Sequence, residues 1–234
     1  MKIALFGNGK MGQLVASQAR AAGHEIGEVI TAKDITATLD DLARRLRGHD
    51  VAIDFSVAAA VERNVTASMH AGLPLVEGTT GWQSQQGVVC RIVADHGGAF
   101  IYGANFSIGV NLFYRVIAHA TELFAQMPDY SPFIEEAHHE QKRDAPSGTA
   151  VKLHDLMKES IKREIPIAST RAGAIPGTHR VGFDSAADQI MLTHTARSRA
   201  GFAAGALVAA NWIKDRKGFF EFSEMISEMM NVTE

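Results

Sequence analysis

The hydrophobic positions of the N-terminal half fall in short apolar runs separated by stretches of helical spacing. Ile3-Ala4-Leu5-Phe6 is the first run, and a stretch with Leu14, Val15 and Ala19 on one side follows it to about Gly23. Glu25–Thr31, Val51–Phe55, Leu73–Glu77 and Ala99–Tyr102 repeat the strand pattern. Between them, Leu39–Arg47, Ala58–Ala71 and Gln85–His96 read as helices; Val57, Val61, Val65 and Met69 recur every fourth position. Strand and helix alternate throughout, which predicts a parallel sheet with helices on both faces.

The pattern changes after Tyr102. Val110–Met127 predicts one long helix, with Phe113, Val116, Ile117, Ala120, Leu123 and Phe124 on its apolar side, so these aromatics belong to a core. Tyr130–Ala137 reads as a strand that puts Ile134, Glu136 and His138 on one face. Pro146 blocks a helix before Ser147, and a helix bearing Leu153, Leu156, Met157 and Ile161 opens there. Val181–Asp184 and Gln189–Ala196 are strand-like, the latter with Ile190, Leu192 and His194 on one side. An isolated hairpin is marginal, so this pair needs the Tyr130 strand or another subunit as a partner. An alanine-rich helix from about Phe202 to Ile213 follows, and Phe219–Phe222 with Ser223–Met230 brings the chain back. The expected fold is an α/β Rossmann-type dinucleotide-binding domain plus an α+β substrate-binding and oligomerisation domain with a mixed or antiparallel sheet. The expected bounds are residues 1–105 and 106–211, with about 212–234 returning to the first domain.

Composition narrows the function classes. The formal charge of −3, without a basic patch, speaks against a nucleic-acid partner. No apolar run approaches the ~18 residues of a membrane span, and Lys2 enters a strand pattern without a signal-peptide layout. Cys90 stands alone, which excludes an internal disulfide and fits a reducing cytoplasm. It sits among Val88, Val89, Ile92 and Val93 and is expected to be a buried filler.

Three loops carry candidate chemistry. Gly7-Asn8-Gly9-Lys10-Met11-Gly12 follows a strand and opens a helix, the context in which G-x-G-x-x-G predicts a pyrophosphate site. An acid that would meet the ribose belongs about 20 residues beyond the third glycine; the sequence there is Thr31-Ala32-Lys33-Asp34, so the acid is absent or displaced to Asp34. Lys33 could favour a 2′-phosphate or be an ordinary solvated charge, and the choice between NADH and NADPH stays open. Gly78-Thr79-Thr80-Gly81 and Gly103-Ala104-Asn105-Phe106 lie at carboxyl ends of strands, where a flat ring could approach the first, Asn105 could bond a carboxamide and Phe106 could wall the ring.

The densest chemistry runs from Glu135 to Thr149. It holds His138, His139, Lys142 and the Ser147-Gly148-Thr149 helix start. Proton donors, a positive charge and free backbone N–H groups together suit a small carboxylated substrate. Singly, Ser147 and Thr149 could be helix caps and each histidine a structural residue. A metal held by Glu135, Glu136, His138 and His139 lacks an outlying His or Cys set, and no metal is expected.

His138-His139-Glu140-Gln141-Lys142-Arg143-Asp144-Ala145-Pro146-Ser147-Gly148-Thr149 closely resembles the signature of the 4-hydroxy-tetrahydrodipicolinate reductase family, also called dihydrodipicolinate reductases. Gly78–Gly81, Ala104–Asn111, and Arg171-Ala172-Gly173 with Gly177 and His179 are similar to the family's other motifs, in the same order. The resemblance spans nearly the whole chain. It implies reduction of a cyclic, imine-containing dicarboxylate with NADH or NADPH, a step toward diaminopimelate and lysine, by a cytoplasmic homotetramer joined through second-domain sheets. It implies that Gly7–Gly12 hold the pyrophosphate, and that Gly78, Thr79, Thr80 and Gly103–Phe106 hold the nicotinamide and its ribose. It also implies His138 as proton donor/acceptor, Lys142 as proton donor, and His139, Gly148 and Thr149 as substrate-binding residues. The glycine loop is one residue shorter than in many members, and the chain is short for the family. A related oxidoreductase acting on another imino or keto acid, or a dinucleotide sensor without turnover, would share the first loop; the sensor would have no use for His138 and Lys142.

Overall fold

The computed structural model describes residues 1–231. Among these, the chain forms β1 (Lys2–Phe6), α1 (Lys10–Ala21), β2 (Glu25–Ile30), α2 (Leu39–Leu46), β3 (Val51–Asp54), α3 (Val61–His70), β4 (Leu75–Glu77), α4 (Gln86–Asp95) and β5 (Ala99–Tyr102). It continues through α5 (Ile108–Ala125), β6 (Ser131–His138), α6 (Gly148–Ser160), β7 (Ile167–Arg171), β8 (Thr178–Asp184) and β9 (Gln189–Thr195). It closes with α7 (Ala200–Ile213), β10 (Gly218–Glu221) and α8 (Phe222–Asn231). Two compact units result: residues 1–108 with 200 onward, and residues 109–199.

The first unit is a parallel sheet in the order β10-β5-β4-β3-β1-β2. Successive side chains of a strand point to opposite faces, so β1 sends Ile3 and Leu5 to one core and Ala4 and Phe6 to the other. The first core takes Val15 and Ala19 of α1, Ala206 and Ala210 of α7 and Met225 of α8. The second takes Leu42 and Leu46 of α2, Val65 of α3 and Val93 of α4. A strand covered on both faces reads as a continuous apolar run, as β1, β3 and β4 do.

The chain re-enters this unit at Ala200 and not near residue 212. The reason is α7, whose small residues let it lie close to its neighbours. Ala203, Ala206, Ala209 and Ala210 are all fully buried, and a Cβ on Gly205 would stand 1.7 Å from the Phe106 carbonyl oxygen. Cys90 is also corrected: it is exposed. Val89 and Val93 already define the buried stripe of α4, and the next residue is turned by ~100°.

The second unit is a mixed sheet in the order β7-β6-β8-β9, with β6 parallel to β7 and antiparallel to β8. The hairpin of β8 and β9 therefore finds its partner in β6 of the same chain. The residues of α5 from Val110, including Phe113 and Ile117, join Leu153 and Met157 of α6 against Ile134, Val181 and Phe183 of the sheet. Burial alternates strictly along β6, with Pro132, Ile134, Glu136 and His138 turned inward. An apolar face thus becomes polar at its end, and that end is where the candidate site begins.

Gly205→Ala forces a methyl group against the Phe106 carbonyl, and overpacking of this kind costs about 1–3 kcal/mol. The expected result is a thermal transition lowered by several degrees. Gly87→Ala is the control, because its Cβ meets only the Arg91 guanidinium at 4.0 Å and should be neutral or mildly stabilising.

Candidate active site

In the first unit, the turn after β1 is built by close backbone approach. Gly7 has φ +93°, and a Cβ there would lie 2.5 Å from the Phe55 carbonyl oxygen. A Cβ on Gly12 would lie 2.2 Å from the Gly7 carbonyl oxygen. Gly9, by contrast, faces open space. It is the N-cap of α1 and supplies no side-chain cap, so the first-turn N–H groups of Lys10 and Met11 are not covered by a capping side chain. Asn8 uses its carbonyl to accept from the Gln13 side chain. Beside this turn lies a cleft of about 420 Å³ lined by Met11, Phe55, Ser56, Val57, Gly78, Thr79 and Thr80 among others. An uncapped helix start next to an uncrowded glycine and a cleft fits a dinucleotide.

The loops around the cleft are fixed from beneath by two buried carboxyl groups at the ends of β3 and β4. Asp54 accepts from the Ser56 N–H at 2.7 Å, the Asn64 amide at 2.7 Å and the Thr79 hydroxyl at 3.3 Å. Glu77 accepts from the Thr79 N–H at 2.7 Å. Burial, then the negative charge of Asp54, pushes the Glu77 carboxyl well above its ordinary range. Burial pushes the Asp54 carboxyl up as well, against the hydrogen bonds from Ser56, Asn64 and Thr79.

Other expected cofactor residues divide. Lys33 lies in a short turn in which Asp34 accepts from the Thr31 N–H at 2.7 Å and from Arg45 at 2.9 Å. Asp34 is therefore engaged internally and does not stand as a free acid for a ribose hydroxyl. The Gly103 N–H donates to the Glu77 carbonyl, Ala104 is exposed, and the Asn105 side-chain oxygen accepts from the Ser107 N–H. Phe106 corrects the expectation that it walls a ring. It is 2% exposed and packs against Phe222 and Phe55 at centroid distances of 4.7 and 6.2 Å. Its aromatic area is worth more in the core than at a polar loop surface.

In the second unit, Glu136 is the centre of a network. Its carboxylate accepts from both terminal nitrogens of Arg171, at 2.6 and 2.9 Å. It also accepts from the Ser147 N–H at 3.3 Å, from the Ser169 side chain and from Nδ1 of His138. Burial pushes the carboxyl up, but Arg171, Ser169 and His138 outweigh it and hold it at about 2. Burial pulls the imidazole of His138 down, Glu136 pulls it up, and Lys142 and Arg171 reinforce burial, so the net direction is down.

His179 stands edge-on to His138, with ring centroids 5.1 Å apart. Its Nε2 pairs with the Ser147 hydroxyl at 3.0 Å, and its Nδ1 is buried without a partner among the described residues. Burial, followed by the charge of His138, lowers His179 to about 4. Gly177 has φ +125° and passes so close to His138 that a Cβ would lie 3.2 Å from Nε2. Glu136, His138 and His179 bring ligand atoms within 4.8 Å of one another. That spacing alone would admit a cation, but Arg171 already spans both carboxylate oxygens, and a guanidinium there opposes a second positive charge.

The residues from His139 to Thr149 surround this network. The Lys142 ammonium donates to Asp144 at 2.8 and 3.0 Å. The Asp144 carboxylate is held below its ordinary value first by Lys142, with a further hydrogen bond from the Gly148 N–H. His139 has a buried Nδ1 without a partner among the described residues. Ser147 is the N-cap of α6: its hydroxyl accepts from the Ala150 N–H, while its own N–H serves Glu136. Ser147 is thus spent on the scaffold, which corrects its expected place among substrate ligands. The Thr149 hydroxyl bonds the Tyr114 phenol, while a Cβ on Gly148 would meet nothing within 4 Å. Sequence reading missed Glu136 as a centre, together with Arg171 and His179; the Arg171-Ala172-Gly173 and Gly177–His179 motifs were the available signals.

Comparison with known proteins gives the family of the chain. The family model described as dihydrodipicolinate reductase, N-terminus, matches residues 1–106, and that described as dihydrodipicolinate reductase, C-terminus, matches residues 109–226. A 4-hydroxy-tetrahydrodipicolinate reductase of Christiangramia forsetii is 39% identical, over 98% of this chain and 99% of that protein. One from Archaeoglobus fulgidus is 31% identical over 97% and 100%. A dipicolinate-bound dihydrodipicolinate reductase from Paenisporosarcina sp. TG-14 shares the fold, with a TM-score of 0.78, 24% identity, and 96% and 98% of the two chains covered.

The buried His179 makes the second unit acid-sensitive. Between pH 6.5 and about 4 its imidazole is neutral when folded but charged when unfolded, so the unfolded state binds more protons. This contribution is full above pH 6.5 and is lost as the pH falls toward 4, up to ~3 kcal/mol. Urea midpoints should fall between pH 7 and pH 4.5, and His179→Asn should flatten that dependence.

Proposed function

The chain belongs to the dihydrodipicolinate reductase family, and we propose how its residues divide the work of that enzyme. It is an NAD(P)-dependent oxidoreductase that reduces 4-hydroxy-tetrahydrodipicolinate to tetrahydrodipicolinate in the route to diaminopimelate and lysine. Among the described residues no helix is long and apolar enough to cross a membrane, and we place the enzyme in the cytoplasm as a homotetramer built through the second sheet. The edge strand β9, which leaves Ile190 and Met191 exposed, supports that assembly.

Gly7–Gly12 hold the pyrophosphate through the open helix start of α1. Gly78, Thr79 and Thr80 line the nicotinamide-ribose side of the cleft, with their loop held by Asp54 and Glu77. Either NADH or NADPH serves, and Lys33 meets a 2′-phosphate when one is present, since the adjacent Asp34 is already engaged. When bound, the reduced nicotinamide supplies the hydride.

One carboxylate of the cyclic substrate binds at the start of α6, to the N–H groups of Gly148 and Thr149, with Lys142 and His139 beside it. Lys142 and the Gly148 N–H both contact Asp144 in this structure, so the substrate's carboxylate takes over a place that an acid already occupies. Loss of the substrate's 4-hydroxyl as water leaves the conjugated carbon–nitrogen system; hydride addition to that system leaves an electron pair on the ring, and a proton must follow. His138 gives that proton, with Lys142 as the second donor. The observation that carries this reading is the Ser147 N–H bond to Glu136 at 3.3 Å, which fixes the uncrowded helix start to the network that holds His138.

The test is a nicotinamide absorbance assay with freshly made substrate and each cofactor; no turnover with either would overturn the reading. His138→Gln and Lys142→Ala should each cut turnover by roughly 10²- to 10⁴-fold, with nucleotide affinity near normal in a fluorescence titration. Gly148→Ala should fold normally, because among the described residues nothing beyond its chain neighbours and its own helix backbone lies within 4 Å of the added methyl group. It should nevertheless weaken dipicolinate roughly 10-fold, the loss of about one charge-assisted hydrogen bond. An unchanged inhibition constant would remove the carboxylate from this helix start.

A further inference from the structure

Glu136 has no part in the roles assigned above, yet every group in the second-unit network touches it or touches a group that does. It is 2% exposed. Its carboxylate is held at about 2 by donors on every side, so near neutral pH it is ionised and can only accept hydrogen bonds. Nδ1 of His138 must therefore carry a hydrogen. The neutral imidazole is then the Nδ1–H form, and Nε2 is the nitrogen left free. Nε2 lies on the side where Gly177 has no side chain.

We propose that Glu136, clamped by Arg171, is a positioning residue for the reduction: it takes the Nδ1–H of His138 and so makes Nε2 the nitrogen that delivers the proton. This rests on the assignment of His138 as proton donor. The step balances. The hydride brings two electrons and one hydrogen to a ring carbon, the Nε2–H bond of the imidazolium breaks, and its proton joins the reduced ring. The imidazole is left neutral with Nδ1–H still bonded to Glu136, and it is recharged from water at Nε2.

Arg171 has two opposed effects in this arrangement. It keeps Glu136 ionised and in place by bonding both oxygens, at 2.6 and 2.9 Å. It also draws on the same carboxylate that would stabilise a charged His138. The charged and titratable groups facing His138 come from each neighbouring element: Glu136 on β6, Arg171 on β7, His179 on β8, and Lys142 on the following loop. Asp144 lies beyond Lys142, and His194 on β9 lies beyond His179. Of these, only Glu136 bonds the ring itself through a carboxylate.

The first measurement needs no variant. Long-range ¹H–¹⁵N correlation spectra of the wild-type enzyme, above the pH at which His138 loses its charge, should show the Nδ1–H form; the Nε2–H form would overturn the proposal. The second is the pH dependence of kcat/KM. The basic limb, where His138 loses its proton, should move to lower pH in Glu136→Gln, with kcat reduced ~100-fold. In Arg171→Met the same limb should move to higher pH. A merely structural role would move both limbs together or neither, and either result counts against the proposal. If His138→Gln abolishes turnover while Glu136→Gln keeps the wild-type rate and profile, this inference fails and the proton-donor assignment stands. If His138→Gln is fully active, the assignment itself fails.

Discussion

A carboxylate taken out of water must be met by donors, and the second unit is arranged around that requirement at Glu136. Desolvation of an ion costs several kcal/mol even after the surroundings relax. Here it is offset by Arg171 at both oxygens, by the Ser147 N–H and by His138. These partners come from β7, from the start of α6 and from β6 itself. Satisfying one buried charge therefore fixes a strand, a helix start and an imidazole together. The helix start is the candidate anion site and the imidazole the candidate acid, so the two halves of the chemistry share one anchor.

The first unit solves a different problem, which is to leave backbone N–H groups available without a side chain in front of them. Gly7 and Gly12 permit close approach, while Gly9 leaves its own surroundings empty. The cleft beside it is lined by short residues whose loops rest on Asp54 and Glu77. Both units thus use buried carboxyl groups as fixed acceptors. They differ in the counter-charge: Glu136 faces a guanidinium, which helps hold its carboxyl at about 2, while Glu77 faces another acid, which adds to burial in pushing its carboxyl well above the ordinary range.

Much of this was legible in the sequence because it is local. The apolar runs of β1, β3 and β5, the glycine turn, and the alternation that puts Ile134, Glu136 and His138 on one face of β6 all depend on near neighbours. So does the helix that opens after Pro146. The strand β7 was not legible: Ile167-Ala168-Ser169-Thr170-Arg171 carries one large apolar residue and is largely exposed, so no alternation marks it. The partnership of Glu136 with Arg171 spans the intervening helix, and nothing in the local pattern announces it. Phe106 misled for a related reason. An aromatic in a loop of Gly, Ala, Asn and Ser looks ligand-facing until α7, from the far end of the chain, closes over its carbonyl.

The parallel pairing of β6 with β7 sets Glu136 opposite Ser169 and His138 opposite Arg171. Side chains alternate between the faces of a sheet, so a slip of one residue would carry Arg171 to the other face. The carboxylate would then be sealed in the interior with its counter-ion outside. The outer strand has little apolar content with which to recognise its proper alignment. A buried anion performs that recognition instead: misaligned pairings are penalised electrostatically, and the chain proofreads a weakly encoded strand with the same group that orients its imidazole.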